Sequence, residues 1–190
     1  VLTAPAFFLA QSMITLALAK KHLNAEEHNE DDTLIEALIK AAYRYAENKT
    51  GTCFEPKEIT LVLDSLPPGA GKLELQHTPV REVSSFSYVD PTGQTQDIDP
   101  AELRLDTRPV TPTLAPKFGT QWPQLIAEPE SVSITLAVGY EQTPEDAQAA
   151  MLLLIGHLYA NREAASAVNL TAVPLGVDML LAPYTFTRIG

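Results

Sequence analysis

Cysteine is almost missing from this chain, and cations are outnumbered. Cys53 is alone, which excludes an intramolecular disulfide framework and any thiolate-based metal site. A lone thiol suits a reducing compartment, and just after Gly51 it reads as a half-buried structural residue rather than a nucleophile. Thirteen Lys and Arg face 24 Asp and Glu, for a net charge of −11. Gripping nucleic acid needs clustered cations to neutralise phosphates; here Lys20-Lys21 is the one adjacent pair. Long uninterrupted apolar runs are absent as well. Val1 to Ala19 is apolar, but Pro5, Gln11, Ser12 and Thr15 break it and no basic stretch leads into it. It therefore reads as an extended arm, neither a signal peptide nor a membrane span.

Chemistry-bearing patterns are equally scarce. No nucleophile elbow occurs. Pro67-Pro68-Gly69-Ala70-Gly71-Lys72 ends in Gly-Lys but lacks the leading Gly of a phosphate-binding loop, and Leu73 stands where Ser or Thr would hold magnesium. It reads as a hairpin loop. The acidic run Asn24 to Asp32 lacks the ligand spacing and central Gly of a calcium loop; it reads as a linker bringing negative charge to a helix N-terminus. His157 has no ligand-type partner four residues away and reads as an ordinary helix residue. No catalytic residue, metal ligand or cofactor site emerges.

What is present is a clear order of elements. Thr15 to Leu23 predicts a short helix capped by Thr15. A second helix is expected from Asp31 or Asp32 to about Lys49, with Gly51 as its stop. Leu34, Ile35, Leu38, Ile39, Ala42, Tyr45 and Ala46 form its apolar stripe. Tyr43, Arg44 and Glu47 lie off that stripe, solvated in a monomer and available to a neighbour in an oligomer.

From Glu58 to Tyr140 the apolar period falls to two, as in strands. Segments around Ile59–Leu63, Leu73–Leu75, Val83–Val89, Gln94–Ile98 and Leu103–Asp106 qualify. Asp90-Pro91-Thr92-Gly93 carries the residues of a type I turn between two of them. In 131–138, Val132, Ile134, Leu136 and Val138 should face inward, and Ser131, Ser133 and Thr135 outward. Five prolines in the stretch from Arg108 through Pro129 favour an ordered loop, with a short strand near Thr113–Ala115 and Trp122 as the loop's anchor.

A third, long helix should begin with Thr143 as cap and Pro144 in first position, and reach about Arg162 to Ala165. Ala147, Ala150, Met151, Leu154, Ile155 and Leu158 form its core stripe; Leu152, Leu153 and Tyr159 carry apolar character beyond one packing face. Ser166 to Val173 reads as a hinge, and Leu175 to Pro183 as a short apolar helix. The fold class is α+β: two N-terminal helices plus a long C-terminal helix, with an inserted antiparallel β-rich region. The divisions are 1–56 for the arm and first helices, 57–142 for the insertion, 143–165 for the long helix and 166–190 for a C-terminal arm.

The chain resembles one family along nearly its whole length. Leu16 to Leu23 ends in Ala19-Lys20-Lys21-His22-Leu23; Asp32 to Ala42 follows, then Glu47-Asn48-Lys49-Thr50-Gly51. Further on come Tyr88-Val89-Asp90, Phe118 to Pro123, Val138-Gly139-Tyr140, Leu152 to Glu163 and Pro174 to Tyr184. Each is weak alone; in this order they are similar to phage head–tail connector (adaptor) proteins of long-tailed bacteriophages and prophages. Leu18 departs from the family pattern, which often has Glu there, and puts one contact of the first helix in question.

The resemblance implies a structural virion protein, not an enzyme, made in the bacterial host cytoplasm and built into the head–tail junction. Such proteins form a ring, a dodecamer on the portal, and extend the DNA channel, which DNA passes without specific binding. They then receive the next connector or a tail-terminator protein. A neck or tail-completion protein that binds tail components instead is the alternative. No membrane or cofactor is implied. Ring closure needs a heterologous interface; Tyr43, Arg44, Glu47, Leu152, Leu153 and Tyr159 are its candidates. The C-terminal arm is the candidate portal-docking element, through Leu175, Val177, Met179, Leu180, Leu181 and Tyr184, and its removal is expected to leave the monomer folded.

Overall fold

The computed structural model describes residues 14–109, 111–161 and 175–185. The expected N-terminal arm, the hinge and the last turn of the long helix fall outside these residues. The described chain divides into two compact units, one from residues up to 55 and from 140 onward, the other from 56 to 139.

The first unit is helical. Helix α1 (Leu16–Leu23) starts where Thr15 accepts the Leu18 amide at 3.1 Å, and stops at Asn24 in the left-handed region. Helix α2 (Asp32–Thr50) ends at Gly51, whose φ of 72° suits a residue without Cβ. Between them the acidic linker closes on Lys20, whose ammonium donates to Asn29 Oδ1 at 2.8 Å and Asp32 Oδ1 at 2.7 Å. Helix α3 spans Glu145–Ala160 and α4 Leu175–Leu181. The cap of α3 sits one residue later than expected, with Pro144 extended ahead of it and accepting from the Gln148 amide at 2.9 Å. Thr143 is thereby released from capping and lies 3.5 Å from the Tyr43 hydroxyl.

These helices enclose one core. Ile35, Ile39, Ala42 and Ala46 of α2 meet Ala147, Ala150, Met151, Leu154 and Ile155 of α3, with Ala19 of α1 and Val177 and Leu181 of α4. Leu34 sits at the margin of the stripe and is exposed. Phe54, fully buried, carries an aromatic cluster: its ring lies 6.0 Å from Tyr140 and 5.4 Å from Tyr184, the latter edge-on.

The second unit is β. Strands β1 (Lys57–Leu63), β3 (Val80–Val89), β4 (Thr95–Asp97) and β7 (Val132–Val138) form one antiparallel sheet in the order β1-β7-β3-β4. A second sheet runs β2 (Leu73–Glu74), β6 (Thr113–Pro116), β5 (Leu103–Asp106). The last strand in sequence is thus central in its sheet, paired on both sides, which explains why Val132, Ile134, Leu136 and Val138 are all fully buried. Ser131, expected outside, is buried because its hydroxyl donates to the Asp64 carbonyl at 3.1 Å.

The β3–β4 turn forms as the residues demand. Gly93 at φ 82° donates to the Asp90 carbonyl at 2.9 Å, and the Asp90 carboxylate accepts the Thr92 and Gln94 amides. The Pro67–Lys72 segment is not a hairpin loop: it carries the chain from β1 in one sheet to β2 in the other. Its glycine carbonyls hold Trp122, whose backbone amide donates to Gly69 O at 2.9 Å and whose indole Nε1 donates to Gly71 O at 2.8 Å. The indole stacks on Phe86 at 5.5 Å, so Trp122 anchors the proline-rich loop.

Candidate assembly interfaces

Every element of the helical unit spends one face on the core; what remains for partners is set by where the leftover apolar residues land. The structure redistributes the residues singled out above. Tyr43 is not at the surface: it is 2% exposed, and its hydroxyl accepts the Ile14 amide at 2.9 Å. Burial raises its phenol above the usual range. A residue one step off a helical stripe is buried when a second element covers that flank, and here the chain entering α1 does so. Glu47 accepts the Phe54 amide at 3.0 Å and so caps the turn after α2. Arg44 stays exposed. Tyr159 is half-buried and donates to the Asp31 carboxylate, while Leu152 is half-buried and Leu153 is 40% exposed.

The C-terminal residues divide by face. Val177 and Leu181, four apart, are 0% and 1% exposed and belong to the core. Tyr184 closes the aromatic cluster, and its hydroxyl donates to Asp146 Oδ1 at 2.7 Å. Burial first, then the bond to Asp146, raises its pKa. The Thr52 hydroxyl donates to the Tyr184 carbonyl at 2.9 Å, and Lys49 pairs with Asp178 at 3.2 Å. This segment is therefore a structural part of the unit and not a detachable arm; its removal would open the core. Val177, Leu181 and Tyr184 are spent inward. Leu175 and Met179 face outward at 83% and 76% exposure, with Leu180 between the two faces.

Leu153 joins them: its Cδ1 lies 3.7 Å from the position a Cβ on Gly176 would take. Leu175 and Met179, four apart, share the outer face of α4, and Leu153 of α3 approaches that helix at Gly176. Sequence periodicity identified the three residues without joining them. In the β unit, Phe118 is fully exposed, and Val62 is half-exposed on β1, an edge strand. The resemblance includes Phe118, but alternation gave no hint that it stands in water.

No group of three or more His, Cys, Asp or Glu that could hold a metal ion occurs among the described residues. None of their helices is long and apolar enough to cross a membrane. Cys53 is buried. What the described surface offers is exposed apolar contact area.

Comparisons with known proteins show what the chain is similar to. Residues 13–97, a little under half of the chain, match the family described as phage gp6-like head-tail connector protein. The whole fold is similar to a chain in the neck of an empty gene transfer agent (GTA) particle determined with C6 symmetry. The TM-score is 0.74 at 21% identity, over 100% of this chain and 95% of that one. A chain in the neck of a native GTA particle with C12 symmetry gives 0.67 at 21% identity, over 95% and 97%. A chain in the virion of a native GTA particle gives 0.75 at 21% identity, over 100% and 95%. No curated protein sequence matches. These findings bear out the resemblance and the α+β connector fold read from the sequence, and they support a structural head–tail connector role.

Proposed function

We propose that this protein closes into a ring beneath the portal, extends the DNA channel and receives the next connector or tail-terminator protein. The observation that carries this reading is likeness to a neck chain over 100% of this chain and 95% of that one, joined to the connector-family match over residues 13–97. The C12 symmetry of one matched particle fits a dodecamer, the symmetry expected on a portal. The net charge of −11 per copy supports a channel that DNA crosses without adhering. Synthesis in the host cytoplasm, before incorporation at the head–tail junction, suits the single buried thiol.

Within the ring, exposed Arg44 and Leu153 are subunit-contact residues, whereas Tyr43 and Glu47 act by holding their own subunit together. Negative-stain imaging of the chain mixed with its cognate portal ring tests the reading. A new ring of density under the portal is the expected result. Portal rings unchanged by the chain, with the chain instead retained by a tail-terminator protein in a pull-down, would refute portal docking and favour a tail-completion protein.

A further inference from the structure

The two edges of the four-stranded sheet are finished differently. Strand β4 is three residues long, exposed throughout and ends in Asp97, features that discourage pairing with another chain. Strand β1 is seven residues long and holds an unbroken register with β7, whereas β3, on the other side of β7, carries two register shifts. From Ile59 to Leu63 it has no charge, no proline and no bulge. Alternate residues of a strand paired on one side turn both amide and carbonyl outward. Among the described residues, no strand takes up those of β1.

Burial points to the same edge. Ile59, Leu61 and Leu63 are half-buried, while the residues opposite them on β7, Leu136, Ile134 and Val132, are 0% exposed. Apolar cover over the inner face of the sheet therefore thins at β1. A further strand beyond β1, apolar at every second position, would complete it.

The chain itself carries such a segment. Residues 1–13, outside the described residues, have no charged side chain and lead into Ile14, whose amide is fixed on the Tyr43 hydroxyl. Between Pro5 and Met13 stand seven residues, Ala6 to Ser12, the length of β1. Alternation puts Phe7 and Leu9 on one side of such a strand, and a proline is tolerated at its start. Extended, a segment of this length reaches up to about 45 Å, against about 30 Å for the diameter of a small domain. The C-terminal alternative, Phe186 to Gly190, is shorter and puts Phe186 and Arg188 on the same side. Pairing of β1 with β1 of a second copy would be isologous and would close a dimer. An arm donated to an edge joins two different surfaces and can continue around a ring.

We propose that residues 6–12 of one copy add as a strand to the outer edge of β1 in the next copy. This inference rests on the ring reading above and names a contact that closes the ring.

The test uses the full chain assembled on its cognate portal ring. Phe8, on the side of the arm opposite Phe7, falls with Val62 on the outer face of the extended sheet. Phe8→Cys and Val62→Cys chains, prepared separately, mixed and treated with a short bis-maleimide, should give covalent pairs that neither variant gives alone; the parent chain, with Cys53 buried, sets the background. Hydrogen exchange of the β1 peptide should slow by roughly tenfold or more on assembly. Removal of residues 1–12 should abolish that slowing and weaken ring formation by roughly tenfold or more, since main-chain bonds supply the affinity of an added strand. Where the shortened chain loses helix-band ellipticity, Phe7→Asp replaces it, with the same expected losses. A Phe8→Cys, Val62→Cys double variant that cross-links only within single chains, with the mixture silent, overturns the proposal by returning the arm to its own subunit. Slowing of β1 exchange that persists without the arm also overturns it and gives the edge to another partner. Normal rings without the arm, with β1 exchanging equally fast before and after assembly, overturn it while the ring reading stands. If the parent chain forms no ring on the portal, the functional reading itself falls, and this contact falls with it.

Discussion

Helix α4 offers the sharpest test of the packing, because residues two apart on it are placed in opposite environments. Leu181 is 1% exposed and belongs to the core shared with α2 and α3, whereas Met179 is 76% exposed. Truncating a buried Leu to Ala loses its transfer free energy and leaves a cavity, together about 2–5 kcal/mol. The same truncation at an exposed site, in the free monomer, falls within about 0.5 kcal/mol. Leu181→Ala should therefore shift the urea midpoint by about 1–2.5 M at a slope of roughly 2 kcal/mol per M, and Met179→Ala should leave it in place.

The readout can be confined to the relevant unit. Among the described residues all four α-helices lie in the helical unit, so ellipticity at the helix band reports on it. Trp122, the chain's one tryptophan, lies in the β unit, so its fluorescence reports on that unit separately. If Leu181→Ala and Met179→Ala give the same helix-band midpoint, α4 does not pack as described and the C-terminal segment is a free arm after all.

Other substitutions probe single contacts. Tyr43→Phe should destabilise the helical unit by about 1–3 kcal/mol, since the buried Ile14 amide loses its acceptor; an unchanged helix-band midpoint would contradict this. Trp122→Phe should lower the stability of the β unit by about 1–3 kcal/mol, through loss of the indole bond to the Gly71 carbonyl and of ring area on Phe86. Differential unfolding followed at the sheet band of circular dichroism checks that value. The Asp90 carboxylate is held at about 2, below its ordinary 3.8, chiefly by the Thr92 hydroxyl and then by the Gln94 amide. A depressed folded-state pKa contributes stability that is complete above the unfolded value and is lost as pH falls through the folded one. The β3–β4 turn should accordingly weaken between about pH 4 and 2, and a carboxyl carbon titration of Asp90 with a midpoint near 4 would refute the turn geometry.

The sequence determined whatever depends on neighbours along the chain. Thr15, Asn24 and Gly51 bound α1 and α2 because caps act within one turn. The Asp-Pro-Thr-Gly turn, the alternation of β7 and the core stripe of α3 followed from local residue chemistry and from periods of two and 3.6. The collinear motifs pointed to a connector family because they are read in order along the chain, with no need of packing.

Only tertiary structure decided what each face meets. Tyr43 looked solvated until the segment entering α1 covered it, and the last helix looked detachable until Val177 and Leu181 were found inside the core. The order β1-β7-β3-β4, which puts the last strand at the centre, follows from long-range hydrogen bonding that alternation cannot encode. Side-chain periodicity says which residues share a face, but burial is a property of two surfaces, and the second lies far away in sequence.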